Sequence, residues 1–433
     1  MNRRFEPAGP LRGQVTPPAD KSISHRAALF GAMTDEPVTI RNYLFAEDTL
    51  STLTALRVLG AGVDMREDEL VLRGVGLRGA LEATGGTLDV GNSGTLLRLL
   101  PGWLAGHRGG VWTLDGDDSI RRRPVDRVVE PLARMGATVE ARDGRLPPLK
   151  IGGGRLRGID YELPVASAQV KSCVLIAGLL AEGETIVREP HPSRDHTERF
   201  LLGAQARFGR RDDGSLCVSE LDELELGEVV VPGDPSSAAF WIAAATVIPN
   251  SRIVIESVGL NWTRAGFIRI AERMGAVIVG DVEEPGTVAS VEPVGELDVA
   301  SAPLEGTDVE PAEIPLAIDE IPLVALLAAF AEGETVVRGA GELRVKESDR
   351  IMGVVEGLGG LGADIEATDD GFAVRGTGGL RGGTIDSRGD HRLAMLGAVA
   401  GLASEQGVEV LGMESAAISY PGFERDLERL LAG

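Results

Sequence analysis

Six times along this chain a small or acidic polar residue opens an apolar run, with cationic side chains in or beside the first turn of several runs. The openings are Lys21/Ser22, Asn92/Ser93, Ser167/Gln169, Asp234/Ser236, Asp319/Glu320 and Asp390/His391. They lie roughly 70 residues apart, and such a period says that the fold is assembled from copies of one unit. Each apolar run reads as a helix followed by a turn and a strand, as in LAEGETIVREP ending at Pro190 and FAEGETVVRGA ending at Ala340. A second, amphipathic helix then runs into Gly-Ala and another strand: LGAGVDM, MGATVEA, LGAQARF, MGAVIVG and LGADIEA. Stretches such as VDRVVEPLAR before these carry apolar residues at helical spacing. First helices such as IPLVALLAAFA and VLIAGLLA have no polar face, so they are expected to be buried on all sides.

The pattern predicts an α/β fold of two lobes, each with three copies of a unit of helix, strand, helix, strand and further strand material. Pro and Gly at Thr16-Pro17-Pro18 and Val231-Pro232-Gly233-Asp234 read as hinges, near 17–20 and 231–234. Residues 20–232 then form one lobe, and 1–19 with 233–433 form the other, so the strand before Pro17 joins the C-terminal copies. A solenoid is the rival architecture, but its repeats usually run about 20 to 50 residues.

Composition narrows the partners. A net charge of −23 with only 4% aromatic residues argues against nucleic acid. Two cysteines, Cys173 and Cys217, make a disulfide framework improbable and fit a reducing cytoplasm. MNRRFEPAGP has no apolar signal region, and the longest apolar runs are too short for a bilayer. A cytoplasmic protein with no membrane partner is expected.

Helix N-termini carry unpaired N–H groups and a positive dipole end, so several converging ones would make an anion site. In LRVKESDRIMG, Lys346 and Arg350 lie four residues apart at a helix start, where both their mutual repulsion and the dipole oppose them. Something anionic must offset them, either Glu347 and Asp349 or a ligand. The same arrangement returns at Ser22/Arg26, Thr95/Arg98 and His391/Arg392. Arg121-Arg122-Arg123-Pro124 lies between a strand and a helix, with Pro124 suited to a first turn. Three consecutive arginines are usually just exposed, so function is not assigned to all of them. Arg194-Asp195-His196 hints only weakly at metal, without His-x-x-x-His or Cys-x-x-Cys spacing, and no metal is expected. His25, His107 and His191 read as structural. Gly152-Gly153-Gly154 lacks the Lys-Ser/Thr of a phosphate-binding loop, and no G-x-G-x-x-G follows a strand into a helix.

Taken together, the chain resembles the 5-enolpyruvylshikimate-3-phosphate synthase family. The resemblance is carried by DKSISHR at 20–26, GNSGTLLR at 91–98, RRP at 122–124, ASAQVKS at 166–172 and RDHTE at 194–198. It continues in GDPSSAAF at 233–240, IDEIP at 318–322, LRVKESDR at 343–350 and GDHRLAM at 389–395. It implies a two-lobed enolpyruvyl-transferase-like fold that closes over its substrates. It also implies transfer of the enolpyruvyl group of phosphoenolpyruvate to the 5-hydroxyl of shikimate 3-phosphate, without a cofactor.

By the same resemblance, Ser22, Arg26, Ser167, Ala168, Gln169 and Arg194 hold shikimate 3-phosphate, with Lys21, Asp319 and Lys346 also in reach. Arg123, Arg350 and Arg392 grip the carboxylate and phosphate of phosphoenolpyruvate, for which guanidinium forks are suited. Asn92, Gly94, Thr95 and Gln169 line that donor pocket. Lys21 and Lys346 place point charges on the leaving phosphate or the transferring oxygen. Asp319 takes the hydroxyl proton and Glu347 protonates the methylene carbon. A carboxylate among cations favours its ionised form, so Glu347 as an acid requires burial or reprotonation from Lys21 or Lys346.

Departures place the chain nearer the bacterial subgroup that includes glyphosate-tolerant members. Ile418 stands where one subgroup has a lysine, Leu99 where it has a proline, and RDHTE replaces a tyrosine-containing segment. Many tolerant members carry alanine at the position of Gly94, so glyphosate sensitivity is expected here, and the enzyme is expected to be a monomer. UDP-N-acetylglucosamine enolpyruvyl transferases usually have an Asn after the first lysine, where Ser22 stands, and a loop cysteine. A non-catalytic paralogue should have lost Lys21, Asp319 or Glu347, and all three are present.

Overall fold

The computed structural model describes residues 1–66 and 69–432. The chain divides into two compact units. One holds Ala19–Val231 together with Val288–Glu292; the other holds Met1–Pro18, Pro232–Thr287 and residues 293–432.

The 19–231 unit contains helices α1 (Lys21–Ala32), α2 (Glu47–Val58), α3 (Gly94–Leu104), α4 (Asp126–Met135), α5 (Ala168–Gly178) and α6 (His196–Gly203). The odd-numbered ones are the predicted apolar first helices. This unit holds three four-stranded sheets, one for each copy. In the middle copy the order is Thr87–Asp89, Val111–Asp115, Leu146–Gly152 and Thr138–Arg142. The first two of these strands are parallel and joined through α3, whereas the remaining pairings are antiparallel. Each copy is therefore strand–helix–strand–helix–strand–strand, one leading strand more than the repeat predicts. That strand is only three residues long here, too short for an alternating pattern to show.

The C-terminal unit contains α7 (Pro235–Val247), α8 (Gly266–Arg273), α9 (Ile314–Ala317), α10 (Ile321–Phe330), α11 (Arg350–Gly360), α12 (His391–Ala403) and α13 (Phe423–Ala432). The one-turn α9, just before Asp319, is the helix that the repeat does not predict. The α/β class expected from the repeat is the one observed. Leading strands are exchanged across the two sequence halves. Arg12–Val15, which precedes α1, pairs in parallel with Arg252–Ile255. Glu228–Val230, which precedes α7, pairs in parallel with Val38–Arg41.

Each unit has its own apolar core. Nine consecutive residues of α10, Ile321 to Ala329, are buried, as the all-apolar run requires. Burying each large aliphatic or aromatic side chain contributes about 1.5–3 kcal/mol. Close helix packing needs Gly102 on α3, where an added Cβ would lie 2.3 Å from the Cys173 carbonyl oxygen on α5. Among the described residues no helix is long and apolar enough to cross a membrane.

Candidate functional site

In the 19–231 unit the predicted site residues gather at or just before the N-termini of α1, α3, α4, α5 and α6. Side-chain caps set three of these starts: Asp20 accepts from Ile23 N at 2.8 Å, Ser93 from Leu96 N at 3.1 Å and Ser167 from Val170 N at 3.4 Å. Such caps satisfy one orphan N–H each and leave the others facing outward.

Lys21 Nζ lies 3.0 Å from Asp48 Oδ2 on α2. Arg26 is buried and donates to Thr197 Oγ1 at 2.8 Å, Ser172 Oγ at 3.0 Å and the Ser22 carbonyl at 3.0 Å. Burial pushes its guanidinium down to about 10, with Glu198 and Asp20 opposing the shift. Ser172 donates to the Ala168 carbonyl at 2.6 Å, which ties Arg26 to the start of α5. Arg194 is half-buried just before α6.

A second network joins α3 to α5. Gln169 Nε2 donates to Thr95 Oγ1 at 3.1 Å, and Arg98 donates to Gln169 Oε1 and to the Gly94 carbonyl, both at 3.2 Å. Arg123 donates to Asn92 Oδ1 at 3.1 Å, and Asn92 Nδ2 donates to Asp117 at 2.6 Å. Of the three consecutive arginines, exposed Arg121 forks onto half-buried Asp115 at 3.0 and 2.9 Å, whereas Arg123 is buried and turned toward Asn92.

In the C-terminal unit, Arg350 at the start of α11 is 1% exposed and donates to three carboxylates. Nε reaches Asp390 Oδ2 at 2.8 Å, Nη1 reaches Asp319 Oδ1 at 3.0 Å and Nη2 reaches Glu347 Oε2 at 2.6 Å. Burial disfavours its charge, but Asp390, Glu347 and Asp319 together outweigh burial and hold it above its ordinary range. Burial likewise works against the Asp390 carboxylate, yet Arg350 and His391 bring it below its ordinary value. Lys346 Nζ lies 3.9 Å from Asp319 Oδ1, and Arg392 Nη2 lies 3.5 Å from Asp319 Oδ2. Asp319, Glu347, Lys346, Arg350 and Arg392 are thus brought together around one buried guanidinium.

The two carboxylates share one donor and stand beside an ammonium group, an arrangement suited to moving protons while compensating charge. Asp48, Thr197, Asp390, Ser236 and Glu320 belong to these networks; the sequence marks the last three as openings of apolar runs, Thr197 only within RDHTE and Asp48 not at all. Their partners lie 27 to 171 residues away, too far for any spacing rule to connect.

Comparisons with known proteins agree over nearly the whole chain. The 3-phosphoshikimate 1-carboxyvinyltransferase of Bacillus licheniformis is 45% identical over 425 residues, covering 97% of each chain. That of a Synechococcus strain is 47% identical over 431 residues, covering 99% of this chain and 96% of its own. The solved EPSP synthase of Acinetobacter baumannii superimposes with a TM-score of 0.85 at 39% identity, covering 99% of this chain and 98% of its own. The enolpyruvyl transferase NikO of Streptomyces tendae, at 19% identity and a TM-score of 0.77, shares the fold. The profile of EPSP synthase (3-phosphoshikimate 1-carboxyvinyltransferase) matches residues 5–427, and the chain belongs to that family.

Proposed function

We propose that this chain transfers the enolpyruvyl group of phosphoenolpyruvate to the 5-hydroxyl of shikimate 3-phosphate through a tetrahedral ketal, releasing phosphate. The observation that carries the residue assignment is the shared grip of Arg350 on Asp319 and Glu347, with Lys346 alongside. Asp319 accepts the hydroxyl proton. Glu347, supplied with its proton by Lys21 or Lys346, delivers a proton to the methylene carbon as the ketal forms. On collapse of the ketal a methyl proton returns to Glu347 as the C–O bond to phosphate breaks, and the proton held by Asp319 leaves with the phosphate. Arg350 donates to Glu347 Oε2 at 2.6 Å, a contact that favours a carboxylate, and supply of the proton from Lys21 or Lys346 is therefore part of this assignment.

Ser22, Arg26, Ser167, Ala168, Gln169 and Arg194 hold the acceptor, to which Lys21, Lys346 and Asp319 also reach. Arg123, Arg350 and Arg392 hold the donor, with Lys21, Asn92, Gly94, Thr95 and Gln169 beside it. Neutral and cationic donors suit both substrates, which are multiply anionic. Hinges lie near 17–20 and 231–234, which is supported by the chain passing between units at 18/19 and 231/232. The enzyme works without a cofactor, as a monomer in the cytoplasm. Ile418, Leu99 and RDHTE support its place nearer the subgroup with glyphosate-tolerant members, while Gly94 leaves room for the inhibitor.

Phosphate release from phosphoenolpyruvate tests the reading, with shikimate 3-phosphate against UDP-N-acetylglucosamine as acceptor. Release with shikimate 3-phosphate alone is expected; release only with the sugar nucleotide overturns the acceptor. Solvent deuterium incorporation into the methylene group then separates the proton movers. Glu347→Gln abolishes it under this assignment, and a Glu347→Gln enzyme that still incorporates deuterium overturns that role.

A further inference from the structure

Arg392 is held differently from Arg350. Where Arg350 spends its N–H groups on three carboxylates, Arg392 has two carboxylates at longer range: Asp319 at 3.5 Å and Glu320 at 3.7 Å. Its Nε is buried and has no hydrogen-bond partner. The guanidinium is oriented by charge while its donors stay unspent.

Glu320 is 3% exposed at the start of the wholly apolar α10, a costly place for a carboxylate unless it is compensated. Oε1 accepts from Ser236 Oγ at the start of α7, and Oε2 is buried without a hydrogen-bond partner. Ser236 Oγ in turn accepts from Arg264 Nη2 at 2.7 Å, and the same Nη2 donates to Asp234 Oδ1 at 2.8 Å. A hydroxyl has one proton to give, so Arg264 as donor commits the Ser236 proton to Glu320. Arg264, Ser236 and Asp234 therefore fix where the Glu320 charge sits, and Glu320 faces Arg392.

We propose that Glu320, fixed by Ser236 and Arg264, is a positioning residue that aims the Arg392 guanidinium at the anionic donor substrate. This rests on the reading of Arg392 as a phosphoenolpyruvate-binding residue. Asp319 pulls on the same guanidinium but has a proton to move, whereas Glu320 acts through Arg392. Preorganising a donor group in this way strengthens binding of the anion it serves without taking part in the chemistry.

Steady-state kinetics on the full chain test it, with Glu320→Gln, Glu320→Asp, Ser236→Ala and Arg392→Lys. Glu320→Gln raises KM for phosphoenolpyruvate about tenfold, leaves KM for shikimate 3-phosphate unchanged and keeps kcat within about twofold. Glu320→Asp keeps the charge and recovers part of that loss. Ser236→Ala shifts the same constant in the same direction, and it decides the matter should Glu320→Gln fail to fold. A purely structural role predicts lower thermal stability with both KM values unmoved or moved together, and that result overturns the proposal. Arg392→Lys separates the two levels. If it raises KM for phosphoenolpyruvate while Glu320→Gln does not, only the positioning role falls. If Arg392→Lys changes nothing, the donor-binding reading falls and takes the positioning role with it.

Discussion

Arg350 donates to Asp319 at 3.0 Å and to Glu347 at 2.6 Å, so one buried guanidinium holds both carboxylates assigned to proton transfer. Asp390, wholly buried, is its third partner, so the buried guanidinium serves three carboxylates at once. Removing one member of a buried ionic group strands the others. Arg350→Met is expected to cost about 3–5 kcal/mol of folding stability, read from the denaturant midpoint. Arg350→Lys keeps the charge but cannot reach three carboxylates with a planar fork. Its kcat should fall on the order of 100-fold or more while most stability remains. Near-wild-type turnover in the lysine variant would contradict the shared-grip geometry.

Gly94 sets the size of the space at the start of α3. An added Cβ would meet Arg123 Nη1 at 2.7 Å and Arg98 Nη1 at 2.9 Å. Both atoms end flexible side chains, so Gly94→Ala is expected to fold and to displace the two guanidiniums. A longer inhibitor loses more from that displacement than the shorter substrate does. On the proposed sensitivity to glyphosate, inhibition should weaken about tenfold or more, with a smaller rise in KM for phosphoenolpyruvate. Equal weakening of both in inhibition assays would count against Gly94 as the discriminating position.

The six buried helices were legible because an all-apolar run has only one place to go, and Asp20, Ser93 and Asp234 mark their starts as caps. The short leading strands were not. Thr87–Asp89 has three residues, and its partner strand begins beyond the intervening α3. The charged motifs showed where cations gather but not what each one touches. Arg121 and Arg123 are neighbours in sequence with opposite fates, one exposed on Asp115 and the other buried against Asn92. The sequence shows Lys171 only as part of a motif, while the fold buries it between Glu189 and Glu198. Spacing cannot reveal pairings that tertiary structure alone creates.

His25 on α1 is buried, with Nδ1 2.7 Å from Thr52 Oγ1 on α2 and Nε2 without a hydrogen-bond partner. Burial, then the Lys21 and Arg26 charges, hold its imidazole well below the ordinary value of 6.5. The unfolded chain therefore takes up a proton that the folded chain refuses. Stability from this group is complete above pH 6.5 and is lost progressively as pH falls below it. His107, pushed down to about 4 by burial and by Arg78, acts with the same sign. Each such group adds a slope of up to about 1.4 kcal/mol per pH unit. His25→Asn should flatten the decline in urea midpoint between pH 7 and pH 5, and an unchanged slope would show that His25 takes no part.

Lys171 on α5 is 1% exposed and pairs with Glu189 at 2.8 Å and Glu198 at 2.6 Å, one cation for two carboxylates. Burial opposes its charge, but the two carboxylates outweigh burial and keep the ammonium protonated. Glu198 is left short of compensation: burial raises it, and repulsion from Glu189 and Asp195 adds to burial against the pull of Lys171. A carboxyl group raised in the folded state contributes most below its unfolded value of 4.5 and loses that contribution as pH climbs through the folded value. Glu198→Gln removes the uncompensated charge and leaves Lys171 paired with Glu189. The variant should be more stable than the parent at pH 8, with the advantage shrinking toward pH 5, measured as urea midpoints. Lys171→Met should go the other way at every pH, losing about 3–5 kcal/mol because buried Glu198 and half-buried Glu189 then face each other without their cation. An offset between Glu198→Gln and the parent that stays constant from pH 5 to pH 8 would place the origin of any stability change in packing rather than in charge.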